Sequence, residues 1–565
     1  MTVNSGALLA GTGTVGPTTI NSGGTFAPGN SPGTMTVAGN LAFQAGALYQ
    51  VQVTPATASM ANVSGSATLT GASVQAVFAP GSFLQRSHII LHSGGLGGTT
   101  FSGVSANVPP NFTASLSYTT TDVNLNLIAR LGETPAEQAA EAAEAAEATE
   151  TAETEAEELA ELEAAGLKRN QINVALALNN FYNSGGTLTP AFGAIFELTG
   201  SNLANALSQL SGEAATGAQQ VAFQLTDQFL NLMLDPFVDG RSGIGGAAGP
   251  ALGFAPEREA LPEDVALAYA KAMKGPVYKG EPLSFERRWG VWAGGYGGYN
   301  KTGGDPVVDG SHDLSARVAG GAAGLDYHVT RDTVVGFALA GGGTNWSLAD
   351  GLGGGKSDAL QAGVYGATRS GPAYLAAAFA FANHWMSTDR FAPFGDHLIA
   401  DFNAQSYSGR AEAGYRFGMA AVGITPYAAI QAQSFHTPSY SETDTNGGGF
   451  PLAFNSRTAT DTRSELGARF DRLVAFNQSA VLSLRARLAW ARDRVSDPTL
   501  AAVFQTLPGA SFVVNGATPA KDSALASAGA EYRLANGVIL LAKFDGDFAS
   551  HSSTYAGTGT IRYAW

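Results

Sequence analysis

Residues 481–490 read VLSLRARLAW, and this run decides the fold class. Because side chains on a β-strand point alternately to opposite faces, its leucines and Trp490 share one face, while Ser483, Arg485 and Arg487 share the other. A soluble barrel would turn the apolar face inward. An apolar face with an aromatic residue near the strand end, opposite a charged face, is typical of a strand with lipid outside and a polar interior. The run therefore predicts a transmembrane β-strand.

The same alternation recurs throughout residues 285–565, where twelve such runs can be counted. Each run with its connection takes roughly 23 residues, which suits tilted strands of ten or more residues. Short turns at 331–332, 477–478 and 535–536 alternate with long connections at 300–313, 388–401, 437–457 and 495–521. In lipid every backbone N–H and C=O must be bonded within the protein, so the sheet must close. The pattern predicts a mainly all-β chain ending in a 12-stranded antiparallel transmembrane β-barrel.

The composition excludes several classes of protein. None of the 565 residues is Cys, so the chain is not a disulfide scaffold, a thiol enzyme or a cysteine zinc finger, and this fits export. The net charge of −15 is largely local, because residues 137–163 hold 11 Glu and no Lys or Arg. We therefore expect no nucleic-acid partner, which would need a basic face. No Lys or Arg precedes Arg86, so a secretion signal is missing and we expect further sequence upstream.

Near-repeats mark the first 131 residues. VNSGALLAGTGTVG at 3–16 is followed by INSGGTFAPGNSPGTMTVAGNLAF at 20–43. Strand-and-turn units about 20 residues apart predict a short, right-handed parallel β-solenoid, whose coils bury their faces on one another. Two or three coils would be marginal alone, so we expect a longer stack.

Two segments of different composition separate the solenoid from the barrel. Residues 132–168 are rich in Glu and Ala, which predicts an acidic spacer, helical or disordered, more readily than a specific acidic binding face. Residues 169–284 are predicted to be an α-helical linker and pore-threading segment. Within it an apolar stripe at helical spacing comprises Val221, Leu225, Phe229 and Leu232. A further helix at 263–274, about 18 Å long, is expected to occupy much of the height of the barrel. The four predicted domains are thus 1–131, 132–168, 169–284 and 285–565.

Four motifs carry a resemblance to a known family: GGTFAPGNSPGTMTVAGNL at 23–41, SNLANALSQLSGE at 201–213, WGVWAGGYGGY at 289–299 and TYAGTGTIRYAW at 554–565. With them the chain resembles autotransporters, the type V secretion proteins of Gram-negative bacteria. The resemblance implies an outer-membrane translocator barrel, threaded by a helix, that carries the end of a β-helical passenger at the cell surface. It implies outer-membrane lipid, the barrel-assembly machinery and periplasmic chaperones as partners, a monomeric barrel, and no cofactor.

The resemblance also assigns roles to two groups of residues. Ile561, Tyr563 and Trp565 resemble the carboxy-terminal signal that the barrel-assembly machinery reads; alternatively they are only lipid-facing residues. In some autotransporters an Asn pair in the pore cyclises and releases the passenger. Asn179 and Asn180 are such a pair, but they lie about 80 residues before the last predicted helix, so an exposed polar pair near a helix end is favoured over a cleavage site.

Charged residues on the inward face of the barrel strands are the main candidates for function. In one interpretation they satisfy one another and hold the shape of the barrel. In the other they hold the helix at 263–274, whose Glu263 and Asp264 would meet arginines. Both rest on the rule that buried charges are paired, and both stay open here. The candidates are Arg410, Glu412, Arg416, Arg463, Glu465, Arg469, Asp471, Arg485, Arg487, Glu531, Arg533 and Arg562.

Motifs that would indicate an enzyme or a metal site are weak. Residues 29–33 match G-x-S-x-G and residues 11–16 match G-x-G-x-x-G, but both lie in solenoid repeats where turns are expected. His88 and His92 would share a face of one strand, without a nearby third ligand. We therefore predict no catalytic, cofactor or metal residue and a protein that is not an enzyme.

The sequence thus favours an outer-membrane autotransporter that inserts as a barrel and displays or secretes its own solenoid. Two alternatives stay open. The chain is a surface adhesin whose solenoid is the active part, or a truncated remnant of an autotransporter that has lost an enzymatic passenger.

Overall fold

The computed structural model describes residues 1–29, 32–133, 160, 162–238, 288–418, 422–476, 480–496, 499–534 and 536–565. Residues 1–133 form a parallel β-solenoid of four coils, each of which gives one strand to each of three sheets. A fifth strand extends the second sheet, and an antiparallel hairpin extends the third. The first sheet holds β1 (Thr2–Val3), β4 (Thr18–Ile20), β7 (Leu41–Phe43) and β10 (Ala67–Thr68). The second holds β2 (Leu8–Gly11), β5 (Thr25–Pro28), β8 (Leu48–Val53), β11 (Ser73–Phe78) and β13 (Gly103–Ala106). The third holds β3 (Thr14–Val15), β6 (Thr34–Val37), β9 (Met60–Val63), β12 (Ser87–His92), β14 (Phe112–Tyr118) and β15 (Asp122–Ala129).

Inward side chains stack from coil to coil and form the core of the solenoid. The rings of Phe26 and Tyr49 stack at 5.8 Å, and both residues are fully buried. The final hairpin, β14 and β15, pairs antiparallel with β12 and ends the parallel stack. Since one coil cannot bury its own apolar face, this stacking explains why the repeats in the sequence specify a solenoid.

The ends of the acidic segment meet. A Cβ placed on Gly132 would lie 2.6 Å from Leu167 Cδ1 and 2.9 Å from Leu162 Cδ2. The chain therefore leaves the solenoid and returns at the same place, so the segment does not set the distance between the solenoid and the helices that follow. Most of it, residues 134–159, lies outside the described residues.

The described residues 169–238 form four α-helices: α1 (Arg169–Asn183), α2 (Pro190–Ile195), α3 (Gly200–Leu210) and α4 (Gly217–Val238). Gly212 interrupts the helical conformation between α3 and α4, because its φ of 69° lies in a backbone region that favours glycine. Among the residues that the structure describes, no helix is long and apolar enough to cross a membrane.

The prediction of a 12-stranded antiparallel barrel is confirmed. The last strand pairs with the first along its length, from Gly290 opposite Ala564 to Thr302 opposite Ser552, which closes the sheet. The strands are β16 (Trp289–Thr302), β17 (Leu314–His328), β18 (Thr333–Leu348), β19 (Gly354–Ser370), β20 (Ala373–Phe391), β21 (His397–Tyr415), β23 (Gly423–Thr437), β27 (Arg457–Phe476), β28 (Ala480–Ser496), β31 (Asp522–Leu534), β32 (Val538–Ala549) and β33 (Ser552–Ala564). Two-residue strands β22 (Phe417–Gly418) and β25 (Thr443–Asp444) add to β23 and β21.

The connections at one end of the barrel, the long-loop end, differ from the expectation in two ways. Residues 388–401 are not a loop, because β20 and β21 continue to a tight turn at Pro393–Gly395. The connections at 437–457 and 495–521 build a sheet of their own, the loop sheet. It consists of β24 (Tyr440–Ser441), β26 (Leu452–Phe454), β29 (Thr499–Phe504) and β30 (Ser511–Asn515).

One hydrophobic core joins the solenoid, helices α1 to α3 and the loop sheet. Phe192 of α2 packs edge-on against Phe450 at 4.9 Å and against Phe504 at 4.8 Å. The solenoid is therefore seated on the long-loop end of the barrel through the helices.

Candidate functional site

One half of the barrel wall presents small apolar side chains to the lumen. Helix α4 lies against this half, chiefly against β17 to β20, with Leu225, Phe229 and Met233 fully buried. Glycines make room for the helix: a Cβ on Gly363 would lie 2.7 Å from Met233 Sδ, and one on Gly342 would lie 3.1 Å from Leu225 Cδ1. The buried alanines of this wall include Ala338, Ala340, Ala376, Ala378 and Ala380.

Among the described residues, helix α4 therefore threads the barrel. At 1.5 Å per residue its 22 residues extend about 33 Å, close to the thickness of the hydrocarbon core. The sequence predicts a helix at residues 263–274 inside the barrel as well; those residues, with Glu263 and Asp264, lie outside the described part of the chain, so this stays a prediction. The apolar stripe of α4 was visible in the sequence. The surface that this stripe packs against was not visible in the sequence, because small residues on the barrel wall do not form a pattern that distinguishes a helix contact.

The opposite face of α4 is polar and faces the charged half of the wall. The carboxylate of Asp227 accepts hydrogen bonds from Gln431 Nε2 at 2.5 Å and Gln433 Nε2 at 2.7 Å. Asp235, two turns further on, pairs with Lys543. A cavity of about 160 Å³ remains between this face and strands β27, β28, β31, β32 and β33. Apolar packing on one side and two anchored carboxylates on the other hold the helix in one orientation.

All twelve predicted lumen residues point into the barrel, and each of them pairs with a charged residue of the wall. The central cluster joins Arg410 to Glu465 at 2.7 Å and to Glu412 at 2.9 Å, and Arg469 to Glu412 at 2.9 Å. Around it the structure pairs Arg416 with Asp471, Arg463 with Asp493 and Asp547, Arg485 and Arg533 with Glu531, Arg487 with Asp545, and Arg562 with Asp326.

The residues that touch the helix are mostly outside the predicted set. Lys543, Gln431 and Gln433 contact the carboxylates of α4 directly. The alternation of inward and outward residues along their strands predicts that all three face the lumen. A pattern made only of arginines and glutamates does not include two glutamines and a single lysine. Wall-to-wall pairing is thus the arrangement that the twelve residues form in the structure.

The last strand closes the barrel at its short-turn end. Trp565 N–H donates to Trp289 O at 3.0 Å, and Trp289 N–H donates to Trp565 O at 3.2 Å. Ile561, Tyr563 and Trp565 all point away from the lumen and are 50%, 43% and 49% exposed. The rings of Tyr563 and Trp565 stack at 5.9 Å. The three residues that resemble an assembly signal therefore form one outward apolar ridge.

Residues 291–545 match the family model described as the autotransporter beta-domain. This barrel is an autotransporter β-domain. The chain is similar to the β-domain of the Bordetella autotransporter BrkA, with 19% identity, a TM-score of 0.39, and coverage of 49% of this chain and 100% of that chain. It is similar to the translocator domain of NalP from Neisseria meningitidis, with 16% identity, a TM-score of 0.40, and coverage of 53% and 95%. For the transport unit of AIDA-I from Escherichia coli the identity is 13%, the TM-score 0.34, and the coverage 54% and 100%. No curated protein sequence matches the chain.

An autotransporter β-domain lies in the outer membrane, which agrees with the outward face of this barrel. Leu466 and Leu488 are 57% and 60% exposed on neighbouring strands. A ring of such side chains is stable only where lipid covers it.

The Asn pair at 179–180 lies outside the barrel. Asn179 is fully buried in α1, and its Oδ1 accepts a hydrogen bond from Leu131 N at 2.9 Å. Asn180 is exposed on the same helix. The structure thus places the pair against the end of the solenoid rather than in the pore, and cleavage there stays a prediction.

The two histidines of β12 do not share a face. A β-bulge between Ile89 and Leu91 reverses the alternation, so His88 points inward and His92 outward. Burial lowers the pKa of His88, while His92 Nδ1 lies 2.5 Å from Asp122 Oδ1, which lowers the pKa of that carboxyl. The expectation of one face fails because an extra residue shifts the period-2 pattern.

Just before α4, a buried carboxylate fixes a loop of the autotransporter β-domain to the helix. Glu213 Oε1 accepts from His312 N at 2.7 Å, and Oε2 lies 2.8 Å from His312 Nδ1. The hydrogen bond that His312 donates to Glu213 raises the pKa of His312, and burial raises the pKa of Glu213.

Proposed function

We propose that this chain is an autotransporter that inserts its β-domain into the outer membrane and displays its own solenoid outside the cell. The observation that carries the proposal is the path of the chain through the barrel. Trp346 Nε1, near the long-loop end, donates to Ala214 O at 2.8 Å, just before α4 begins. Leu232, near the other end of α4, contacts Gly294, which lies in the half of β16 nearer the short-turn end of the barrel. In the described residues, α4 therefore carries the chain through the lumen from the long-loop end toward the short-turn end.

The orientation follows from the connections. Outer-membrane barrels have short turns on the periplasmic side and longer loops outside. Applied here, this rule puts the loop sheet, helices α1 to α3 and the solenoid outside the cell. The polar contacts of α4 then keep the helix in the barrel after the solenoid has passed.

The partners that fit this role are outer-membrane lipid, periplasmic chaperones and the barrel-assembly machinery, which would read Ile561, Tyr563 and Trp565. Each of the twelve described barrel strands is paired on both sides, which supports a monomeric barrel. We propose a role in translocation and display, not catalysis, for the chain.

A tag placed before Thr2, behind a secretion signal, tests the proposal in a Gram-negative host. Antibody and protease are applied to intact cells, and the barrel is followed by its change of gel mobility on heating. Labelling and shaving of the tag, with the barrel resistant, is the expected result. A folded barrel in the outer membrane whose tag is reached only after lysis would refute display.

A further inference from the structure

The cavity beside α4 is lined by oxygen-bearing side chains from both the helix and the barrel wall. The helix contributes Gln220, Gln224 and Asp227. Residues of the loop that follows β30 also line the cavity, so it lies in the half of the lumen nearer the long-loop end. Across from the helix, three wall strands present carboxylates, which are those of Asp461 on β27, Asp493 on β28, and Asp545 and Asp547 on β32.

Carboxylates outnumber cations around this cavity. Of the charged side chains that line it, five are aspartates and two are arginines. Arg463 is shared by two of the aspartates, at 2.6 Å from Asp493 and 2.9 Å from Asp547. Asp227 is held by two glutamines rather than by a cation, and Asp461 has no ion pair among the described residues. Because an uncompensated carboxylate is costly away from bulk water, this excess of negative charge favours a bound cation.

The fifth aspartate, Asp545, is already neutralised. Its carboxylate lies 3.6 Å from Arg487 and 3.0 Å from Lys543, and it accepts a hydrogen bond from Ser527 Oγ at 2.5 Å. The excess charge is therefore concentrated at the other four aspartates, between α4 and strands β27, β28 and β32.

Several polar atoms of the cavity lining lack hydrogen-bond partners among the described residues. Asp461 is 9% exposed, and its Oδ1 has no partner. Gln224 is 8% exposed, and neither its amide nitrogen nor its oxygen has a partner. Gln220 Oε1 is also unpaired, although its Nε2 donates to Asn300 Oδ1 at 3.1 Å. Since buried polar atoms are normally satisfied, unpaired oxygens on both helix and wall indicate a ligand that is positively charged or donates hydrogen bonds.

The ligand atoms indicate a hard cation that keeps its water. Carboxylate and amide oxygens are the ligands that Mg²⁺ and Ca²⁺ prefer. No group of three or more carboxylates or imidazoles in the described part of the chain could hold a bare metal ion, so the ion must stay hydrated. Mg²⁺ loses water reluctantly and is often bound through one or two carboxylates and several waters. The cavity of about 160 Å³ has room for on the order of ten waters, which is enough for an ion with its octahedral shell.

We propose that this cavity binds one hydrated Mg²⁺ ion between α4 and the barrel wall. Asp461 of the wall and Asp227 of the helix accept hydrogen bonds from its water shell, and the amide oxygens of Gln220 and Gln224 accept others. The ion thus links the polar face of α4 to strands that its apolar face does not touch, so removing the ion loosens the helix on that side.

This site departs from the prediction of no metal residue. That prediction considered the spacing of histidines, whereas the carboxylates here come from a helix and three strands that are distant in sequence. The inference concerns the folded protein alone and does not rest on the display function.

Calorimetry on the purified full chain tests the proposal. The protein is kept in a mild non-ionic detergent, treated with EDTA, dialysed, and titrated with MgCl₂ in a buffer that holds a large excess of NaCl. One saturable site per chain is expected. Asp461→Asn keeps the shape of the side chain and removes its charge, and it should weaken binding about 10- to 100-fold, as loss of an outer-shell ligand does. Asp358→Asn, which removes an exposed carboxylate from the outward face of β19, is the matched control and should bind like the parent.

A second measurement reports whether the ion holds the helix. In planar bilayers of zwitterionic lipid, EDTA should raise the frequency of channel openings of the parent several-fold. Asp461→Asn should open at the higher frequency whether or not Mg²⁺ is present. Openings of the parent that do not respond to EDTA would contradict the link between helix and wall.

The outcomes of the titration are decisive. Absence of a saturable site, or equal affinity in Asp461→Asn and the parent, overturns the proposal. Each variant is first checked for the gel shift of the parent on heating. If Asp461→Asn does not fold, Asp227→Asn, on the helix side of the cavity, takes its place with the same expected loss. A failure here leaves the surface-labelling test of display untouched, because that test does not depend on a metal ion.

Discussion

At the scale of single residues, the buried ion pair between Arg390 and Glu442 couples the barrel to the chain that leads into it. Each side chain is 2% exposed, and Arg390 also reaches the last turn of α3 through Gln209 O. A buried charge that loses its partner is costly, whereas replacing both charges by apolar groups of similar size is often neutral. The value of this pair therefore lies in fixing geometry more than in net free energy.

Arg390→Met should destabilise the junction by about 3–5 kcal/mol, because Glu442 is left charged and unpaired. The double variant Arg390→Met, Glu442→Met should recover most of that loss. Hydrogen exchange of the α3 amides measures both. If the double variant were destabilised as much as the single variant, the lost hydrogen bonds and not the unpaired charge would account for the destabilisation.

The contact of Glu213 with His312 should weaken as the pH rises. Because the pKa of His312 is raised in the folded chain, its contribution is complete below the ordinary value of about 6.5 and is lost as the pH rises through the raised value. The raised pKa of Glu213 acts in the same direction, and Asp313 and Asp350 also favour the charged imidazole. Protection factors of the first α4 amides should thus be higher at pH 6 than at pH 8.5. His312→Gln should remove this difference, and a difference that persists would assign it elsewhere.

At the scale of elements, helix α4 and the barrel wall fit each other by size. The fully buried Phe229 lies on the apolar face of α4, while Gln228 faces the cavity. The sequence could show that such a stripe is helical, but not what covers it. It also could not show the loop sheet, since strands of two to six residues are too short for a readable alternation. The barrel strands were readable because each has twelve or more residues of inward and outward alternation.

Phe229→Ala should reduce the packing free energy between α4 and the wall by about 3–5 kcal/mol, the usual cost of truncating a buried phenylalanine. In planar bilayers we expect frequent openings to a conductance well above that of the parent protein. Gln228→Ala, on the cavity side of the same turn, is the control and should behave like the parent. Identical traces for both variants would contradict the view that apolar packing holds the plug.

A charge on the outward face of β33 should block assembly, whereas one on the inward face should be tolerated. Ile561→Asp puts a carboxylate in lipid at the ridge formed with Tyr563 and Trp565, at a cost on the order of 1–3 kcal/mol depending on its depth. Thr560→Asp adds the same charge to the lumen side of the strand. The fraction of heat-modifiable barrel in the outer membrane should fall several-fold for Ile561→Asp only. A similar fall for both would mean that the strand rejects charge irrespective of face.

At the scale of the whole molecule, the solenoid, helices and loop sheet form one body on the barrel, and the two ends of the acidic segment meet on that body. The contact of Gly132 with Leu162 and Leu167 fixes both ends of the acidic segment, so the length of this segment can vary without moving the solenoid or the helices.

Deleting residues 142–157 should therefore leave display and the protease-resistant core unchanged. Shortening a connection whose ends already meet changes its closure free energy by less than about 1 kcal/mol. The check is surface labelling of the tag before Thr2 together with the thermal midpoint, using Tyr182→Ala in the full-length chain as the variant that should lower the midpoint. Loss of labelling on deletion would show that the acidic segment takes part in reaching the surface, a role that the folded structure does not require of it.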